Sequence, residues 1–259
     1  MHRVNPYYIH LKGLRMLDLV YPIGAKTFFG FVEDYHYSKV RPRLTKLCVG
    51  GTVGGELVCG MSLGCGVRPF HTINKLFPGL TTKDYYEIGK MCALPGHDKN
   101  LMSYFISRVI KYIKKNLTDI KVLFTWADGI MGKPGYVYQA ANFYYGGFIW
   151  TDVYLHEGEK IHPRMVCSKT GHRPSPSEME TNNWIHIKGK QFRYAYFFDN
   201  TLLNKSTVNW TRQNMPKEAA LEWKQKVRGQ WEECEKPFYD RNKLNYYLSR
   251  DFRQQSLGV

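Results

Sequence analysis

Residues 101–126, LMSYFISRVIKYIKKNLTDIKVLFTW, decide the fold class. Met102, Phe105, Ile106, Val109, Ile110 and Ile113 recur at the spacing that places them on one side of a helix, and Lys114 and Lys115 suit its negative C-terminal end. A helix is therefore predicted over 101–115, with Asn100 as its N-cap. Ile120–Trp126 follows as a near-continuous apolar run, the pattern of a strand buried in the middle of a mixed sheet. Upstream, Tyr85–Leu94 has strand character and is cut off from the helix by Pro95-Gly96-His97-Asp98-Lys99-Asn100. Leu44–Gly51 and Glu56–Gly64 are β-rich and flank Thr52-Val53-Gly54-Gly55, which supplies the positive-φ residues of a hairpin turn. Phe28, Phe29, Val32 and Tyr35 predict a first helix between Gly24 and Tyr37, stopped by Pro42.

Downstream, a second helix is predicted at about Val137–Tyr145, ended by Gly146-Gly147, with a strand over Phe148–Leu155. Cys167–Asn183 reads as a long loop, Lys190–Phe198 as a strand and Lys217–Glu235 as a charged helix. Strands and helices in this order give an α/β (α+β) fold with a mixed central sheet flanked by helices. Residues 1–200 form its body, and 201–259 a helical extension or cover.

At 259 residues, 43% apolar and 15% aromatic, the chain buries a full core, which argues against disorder. Lys and Arg number 37 against 22 acids, a net charge of +15 that makes a polyanion the expected partner. Lys39, Arg41, Arg43 and Lys46 form a basic comb around Pro42 suited to gripping phosphates. Arg108, Lys111, Lys114 and Lys115 load the helix at 101–115, where a solvated face is the plainer reading. The six cysteines include no CxxC pair, and His162, Cys167 and His172 lack zinc-type spacing, so reduced packing cysteines and a cytoplasmic location are expected. No stretch has the pattern of a signal peptide, and no apolar run approaches the ~18 residues of a membrane span.

Ala140-Ala141-Asn142-Phe143-Tyr144-Tyr145-Gly146-Gly147-Phe148 resembles the segment of GNAT acyltransferases in which a helix runs through alanine and an aromatic residue to Gly-Phe, and the order of elements is similar to that fold. The resemblance implies acetyl-CoA, or a related acyl-CoA, held at the helix N-terminus around Gly96, His97, Lys99 and Asn100. Two features depart from the pattern: the loop lacks the usual spaced glycines, and Phe143 stands where a tyrosine commonly protonates the leaving thiolate.

A narrower set of motifs accommodates both departures. Tyr35-His36-Tyr37-Ser38, Glu87-x-x-Lys90, Lys99-Asn100-x-x-Ser103, Ala127-Asp128, and the run from Gly135 through Val137-Tyr138-Gln139-Ala140 to Asn142-Phe143 and Gly147 are similar to the Mom proteins of phages, as is Arg193-Tyr194-x-Tyr196. This resemblance covers about residues 30–200. It implies a transferase that converts the exocyclic amine of adenine in DNA to a carbamoylmethyl derivative and hides phage DNA from restriction enzymes. Asp128, Tyr138, Lys90 and Tyr37 become candidate catalytic residues, and Ser103 and Asn142 join the candidate cofactor contacts. His36, Tyr37 and Asp128 are candidate hard ligands, which would suit iron. Lys90 stands where the family usually has arginine, and Lys133 or Pro134 where it has histidine. Each residue also has a structural reading, as a turn-forming aspartate, a packed tyrosine or a paired surface lysine. Two other functions suit the same scaffold: a GNAT N-acyltransferase acting on a small amine, a protein or a hypermodified base, and a non-catalytic basic DNA-binding protein.

Overall fold

The apolar run at 120–126 becomes β5 (Val122–Asp128), flanked by β4 (Tyr85–Ala93) on one side and β8 (Ile185–Phe197) on the other. The computed structural model describes residues 17–38, 41–66, 69–161, 166–167 and 171–238. Upstream come β1 (Leu19–Ile23), β2 (Thr45–Val53) and β3 (Glu56–Gly64), and further along the chain β6 (Tyr144–His156), β7 (Glu159–Ile161), β9 (Trp223–Val227) and β10 (Gln230–Cys234). They form one ten-stranded sheet in the order β1-β2-β3-β4-β5-β8-β6-β7, with β9 on β8 and β10 on β9. All these pairs are antiparallel except β4 with β5.

Helices α1 (Ala25–Tyr35), α2 (Pro69–Leu76), α3 (Leu101–Asn116), α4 (Tyr136–Ala140), α5 (Pro176–Thr181) and α6 (Leu202–Lys205) complete the described elements. The stripe on α3 packs Phe105, Ile106, Val109 and Ile113 onto Val49, Met61, Leu63 and Leu123 on one face of the sheet, where Tyr138 of α4 joins the same cluster. The opposite face is covered by α1, through Phe28, Phe29, Phe31 and Val32, and by α2, through Ile73 and Leu76. The fold is thus the expected mixed α/β sheet flanked by helices.

One irregularity opens this sheet. Parallel pairing of β4 with β5 spans only Tyr85–Glu87 against Val122–Phe124. Just beyond, Leu63 pairs with Ile88 but Ser62 with Lys90, so Gly89 is an extra residue that bends β4. β5 stays paired with β8 to its last residue, Asp128 opposite Gln191. The two strands therefore part, and a cleft of about 1510 Å³ opens between their C-terminal halves.

Several expectations need correction. The helix expected over 137–145 is only Tyr136–Ala140, because Asn142 takes a left-handed conformation (φ 62°) and Tyr144 already belongs to β6. Lys217–Glu235 is not a helix: after a 3-10 turn at Glu218–Ala220 it folds into the β9–β10 hairpin. Arg228 and Gly229 both have positive φ (47° and 85°), the signature of a type I′ turn, and pairing of Trp223–Gln225 with β8 outweighs helix propensity. The predicted loop over 167–183 contains α5, started by a Ser175–Glu178 capping box. Asn100 precedes α3 but its side chain makes no capping hydrogen bond; its carbonyl accepts the Tyr104 N–H instead (3.0 Å). Lys39, His162 and the residues after 238 lie outside the described residues. Among the described residues, no helix is long and apolar enough to cross a membrane.

Phe105 has no exposed surface and anchors α3 on the sheet, so Phe105→Ala should cost roughly 3–5 kcal/mol. Urea unfolding measures this, and an unchanged midpoint would mean that α3 is held by other contacts.

Candidate active site

Asp128 ends β5 at the mouth of the gap, where open α/β sheets present ligand sites. Its Oδ2 accepts hydrogen bonds from the Tyr37 hydroxyl (3.1 Å) and Lys160 Nζ (2.7 Å). Tyr37 arrives on the turn after α1, and Lys160 on β7, which a two-residue turn with positive φ at Glu157 and Gly158 folds back onto β6. Lys133, whose backbone N–H donates to the Asp128 carbonyl (3.1 Å), places Nζ 4.2 Å from the Tyr37 ring centroid. Burial pushes the Asp128 carboxyl up, but Lys160, Lys133 and the Tyr37 hydroxyl outweigh burial and hold it below the ordinary carboxylate range.

Lys90 comes from the bent half of β4 and donates to Ser38 Oγ (2.8 Å), while its N–H is held by Ser62 Oγ (3.0 Å). Burial, helped by repulsion from Lys160, lowers the Lys90 ammonium to about 8. His36 stacks on Tyr37 with ring centroids 4.5 Å apart. Burial and the nearby Lys90 and Lys133 charges lower it to about 3, so its ring is neutral. Glu87 also lines the cleft, and burial raises its carboxyl to about 7. Its carboxylate tucks against Gly66 (φ 72°), where any Cβ would sit 2.1 Å from Oε2, so the close approach needs glycine.

The other candidates fall on the far side of the gap or outside it. Thr125 and Asp128 are three residues apart on one strand, so their side chains point to opposite faces. Tyr138 belongs to the Thr125 side: it is buried, its hydroxyl accepts from Thr125 Oγ1 (3.3 Å), and its ring packs on Phe143 and Tyr194. Because β4 and β5 are parted, both sides still border one cavity. His97, Lys99, Asn100 and Ser103 line it at the N-terminus of α3, beside Gly96 with φ 74°. Asn142, expected at the cofactor, is an exposed turn residue outside the cleft lining, where its carbonyl accepts from Arg212 (2.9 Å). Of the basic comb, Arg41 and Arg43 line the cleft, Arg41 pairing with Glu33, whereas Lys46 stands outside the lining and donates to the Thr82 carbonyl (2.6 Å).

The proposed iron ligands are brought together, yet their surroundings do not suit a cation. Asp128 Oδ2 is engaged by Tyr37 and Lys160, and three lysines surround the one carboxylate. The Ser38 N–H donates to His36 Nδ1 (3.0 Å), which takes that nitrogen out of coordination. Among the described residues, no group of three His, Cys, Asp or Glu is placed to hold a metal ion. Sequence reasoning missed Lys160, since nothing in Glu159-Lys160-Ile161 marks it, and gave Glu87 no role although it stood in a quoted motif.

Fold and cleft together define a mixed α/β protein with a lysine-rich, carboxylate-bearing site where two parallel strands part. The chain belongs to the Mom protein family, whose model matches residues 19–217. It is 24% identical over 170 residues to the methylcarbamoylase Mom of Escherichia phage Mu, covering 65% of this chain and 70% of that protein. Among solved structures it aligns with a tandem GNAT protein of the clavulanic acid biosynthesis pathway at 11% identity, over 88% of this chain and 75% of that one, with a TM-score of 0.29.

Raising an acid's folded-state value from 4.5 to about 7 means that the folded chain binds more protons in this window, so Glu87 costs stability as pH rises through it. Glu87→Gln should therefore match the wild type near pH 4 and gain on it steadily up to pH 8 in urea titrations. A constant difference across that range would show that Glu87 is not buried as an acid.

Proposed function

We propose that the protein is a DNA-modifying transferase that converts adenine in DNA to carbamoylmethyl-adenine with an acetyl-CoA-type donor, protecting phage DNA from restriction. Family membership and the name of the phage Mu relative support this reading. The observation that carries it is the gap between β4 and β5, which joins a helix N-terminus on one side of the sheet to the Asp128 cluster on the other.

On the first side, α3 has no acidic residue in its first turn, and its 16 residues aim a positive end at the cleft beside Lys99. Residues Gly96, His97, Lys99, Asn100 and Ser103 would hold the donor's pyrophosphate, with Tyr138 next to the acyl chain. The donor would supply the two-carbon unit and release CoA thiol, while joining its methyl carbon to the amine also takes a two-electron oxidant and an amide nitrogen from further co-reactants. On the second side, a flipped adenine would meet Asp128, whose depressed carboxyl stays ionised and would accept the proton that leaves the amine. Tyr37 positions that carboxylate, and Lys90, Lys133 and Lys160 leave the site with excess positive charge that favours the adjoining phosphates.

Nucleoside mass analysis of plasmid DNA from expressing cells tests the reading. The wild type should yield modified adenine, and Asp128→Asn should abolish it without unfolding the protein, as a melting curve checks. Unmodified DNA from a folded wild type would refute the DNA transferase.

Acetyl-CoA should raise the Tm of the wild type, by an amount that grows with the logarithm of its concentration above Kd. Gly96→Val forces a branched side chain into a left-handed backbone (φ 74°) and should weaken that stabilisation while leaving DNA affinity in place. If the acetyl-CoA shift is unchanged in the variant, the donor binds elsewhere.

A further inference from the structure

Outside the cleft, the sheet carries a second concentration of chemistry. Side chains alternate between faces along β6, where Ile149, Thr151 and Val153 line the cleft. Trp150 turns to the other face, and the registers Trp150↔Lys190, Lys188↔Lys224 and Trp231↔Lys226 place residues of β8, β9 and β10 beside it. Lys188 Nζ lies 5.3 Å from the Trp150 ring centroid and 4.2 Å from that of Trp231. Lys224 stands 5.5 Å from Trp150, and Lys226 5.9 Å from Trp231. A row of ring, lysines and ring thus crosses four strands. Trp150 keeps 37% of its surface exposed.

Carboxylates on this face leave the lysines largely available: Asp152, opposite Lys188 in the register, is engaged by His186 instead (3.0 Å). Glu222 pairs with Lys190 (2.5 Å), and Glu233, 87% exposed, reaches Lys224 only at 3.9 Å. Among the described residues, no carboxylate lies within ion-pair distance of Lys188 or Lys226. Protein–protein interfaces are depleted in lysine at their cores, whereas lysines interleaved with aromatic rings suit a strand whose phosphates and base faces are both exposed. A duplex would hide those base faces.

The face also lies within reach of the cleft. Along Phe148–Val153, β6 is paired with β8 on one side only, since β7 begins its pairing at Tyr154. A strand crossing that edge passes from Trp150 to the cleft-lining Ile149 and Thr151 over the thickness of a single β-strand.

We propose that this face docks the unpaired DNA strand flanking the base held in the cleft, stacking bases on Trp150 and Trp231 and taking phosphates on Lys188, Lys224 and Lys226. The choice of DNA rests on the function proposed above; the site itself rests on the ring-and-lysine geometry.

Fluorescence anisotropy of the full chain with a labelled single-stranded oligonucleotide tests it without turnover. Trp150→Ala should weaken binding roughly 5- to 150-fold, the range for losing one stacked base. The pair Lys188→Gln with Lys226→Gln, at one half-buried and one exposed position, keeps most of each side chain and should reduce the slope of log affinity against log salt by about 1.4. Retained stabilisation by acetyl-CoA certifies that each variant is folded. Unchanged affinity and slope in both variants would overturn the proposal, and so would a shift in sedimentation to a different oligomer with oligonucleotide affinity intact, which would make the face a contact between copies. A wild type that leaves DNA unmodified, but whose oligonucleotide binding falls in these variants, would sink the transferase reading and keep the docking surface.

Discussion

The parting of β4 and β5 is the constraint on which the rest of the architecture hangs. Parallel strands cannot be joined by a tight turn, so the chain must leave β4, cross the sheet as α3 and return as β5. That crossover starts at the C-terminal end of β4, which is the end where the pairing fails. The same connection that permits a gap therefore sets a helix N-terminus beside it. The extra residue at Gly89 then commits the far half of β4 to β3, while β8 holds β5 in place to Asp128. Cleft, helix dipole and carboxylate are three results of one strand arrangement.

The side chains in that cleft depend on one another electrostatically. Asp128 stays ionised in a secluded position because Lys160 and Lys133 are close, and those lysines tolerate burial in part because Asp128 is there. Lys90 is pushed towards neutrality by burial first and by repulsion from Lys160 second. His36 is driven fully neutral and serves as a flat surface for Tyr37. Removing a single charge would therefore move several protonation states, which is the behaviour of a coupled site rather than of scattered surface groups.

What the sequence disclosed was local. The α3 stripe, the apolar run of β5 and the Gly54-Gly55 turn are patterns within a few residues, and each is formed. The position of Asp128 after a buried strand, and of Tyr37 in a quoted motif, marked both as site residues. The hairpin over 223–234 was hidden because its lysines and glutamates mask the period of two, and because its stability comes from pairing with the distant Ile187–Gly189 of β8. Arg228-Gly229 was the available signal. The short α4 depended on a left-handed Asn142, a choice driven by the entry into β6. Lys160 meets Asp128 only through sheet register across 32 residues, so no motif search along the chain finds it.

The fate of Phe143 bears on what chemistry the cleft supports. In the GNAT pattern this slot carries a tyrosine whose hydroxyl protonates the departing thiolate, but here Phe143 is completely buried, with its ring against Tyr138 and Tyr196. A hydroxyl at this position would enter an apolar cluster rather than the cavity. The hydroxyl of Tyr138, the adjoining ring, accepts a hydrogen bond from Thr125. The secluded charged groups of the cleft lie across the gap, around Asp128 and Lys90. Under the proposed transfer, the proton that leaves the acceptor amine would be taken up on this side of the gap.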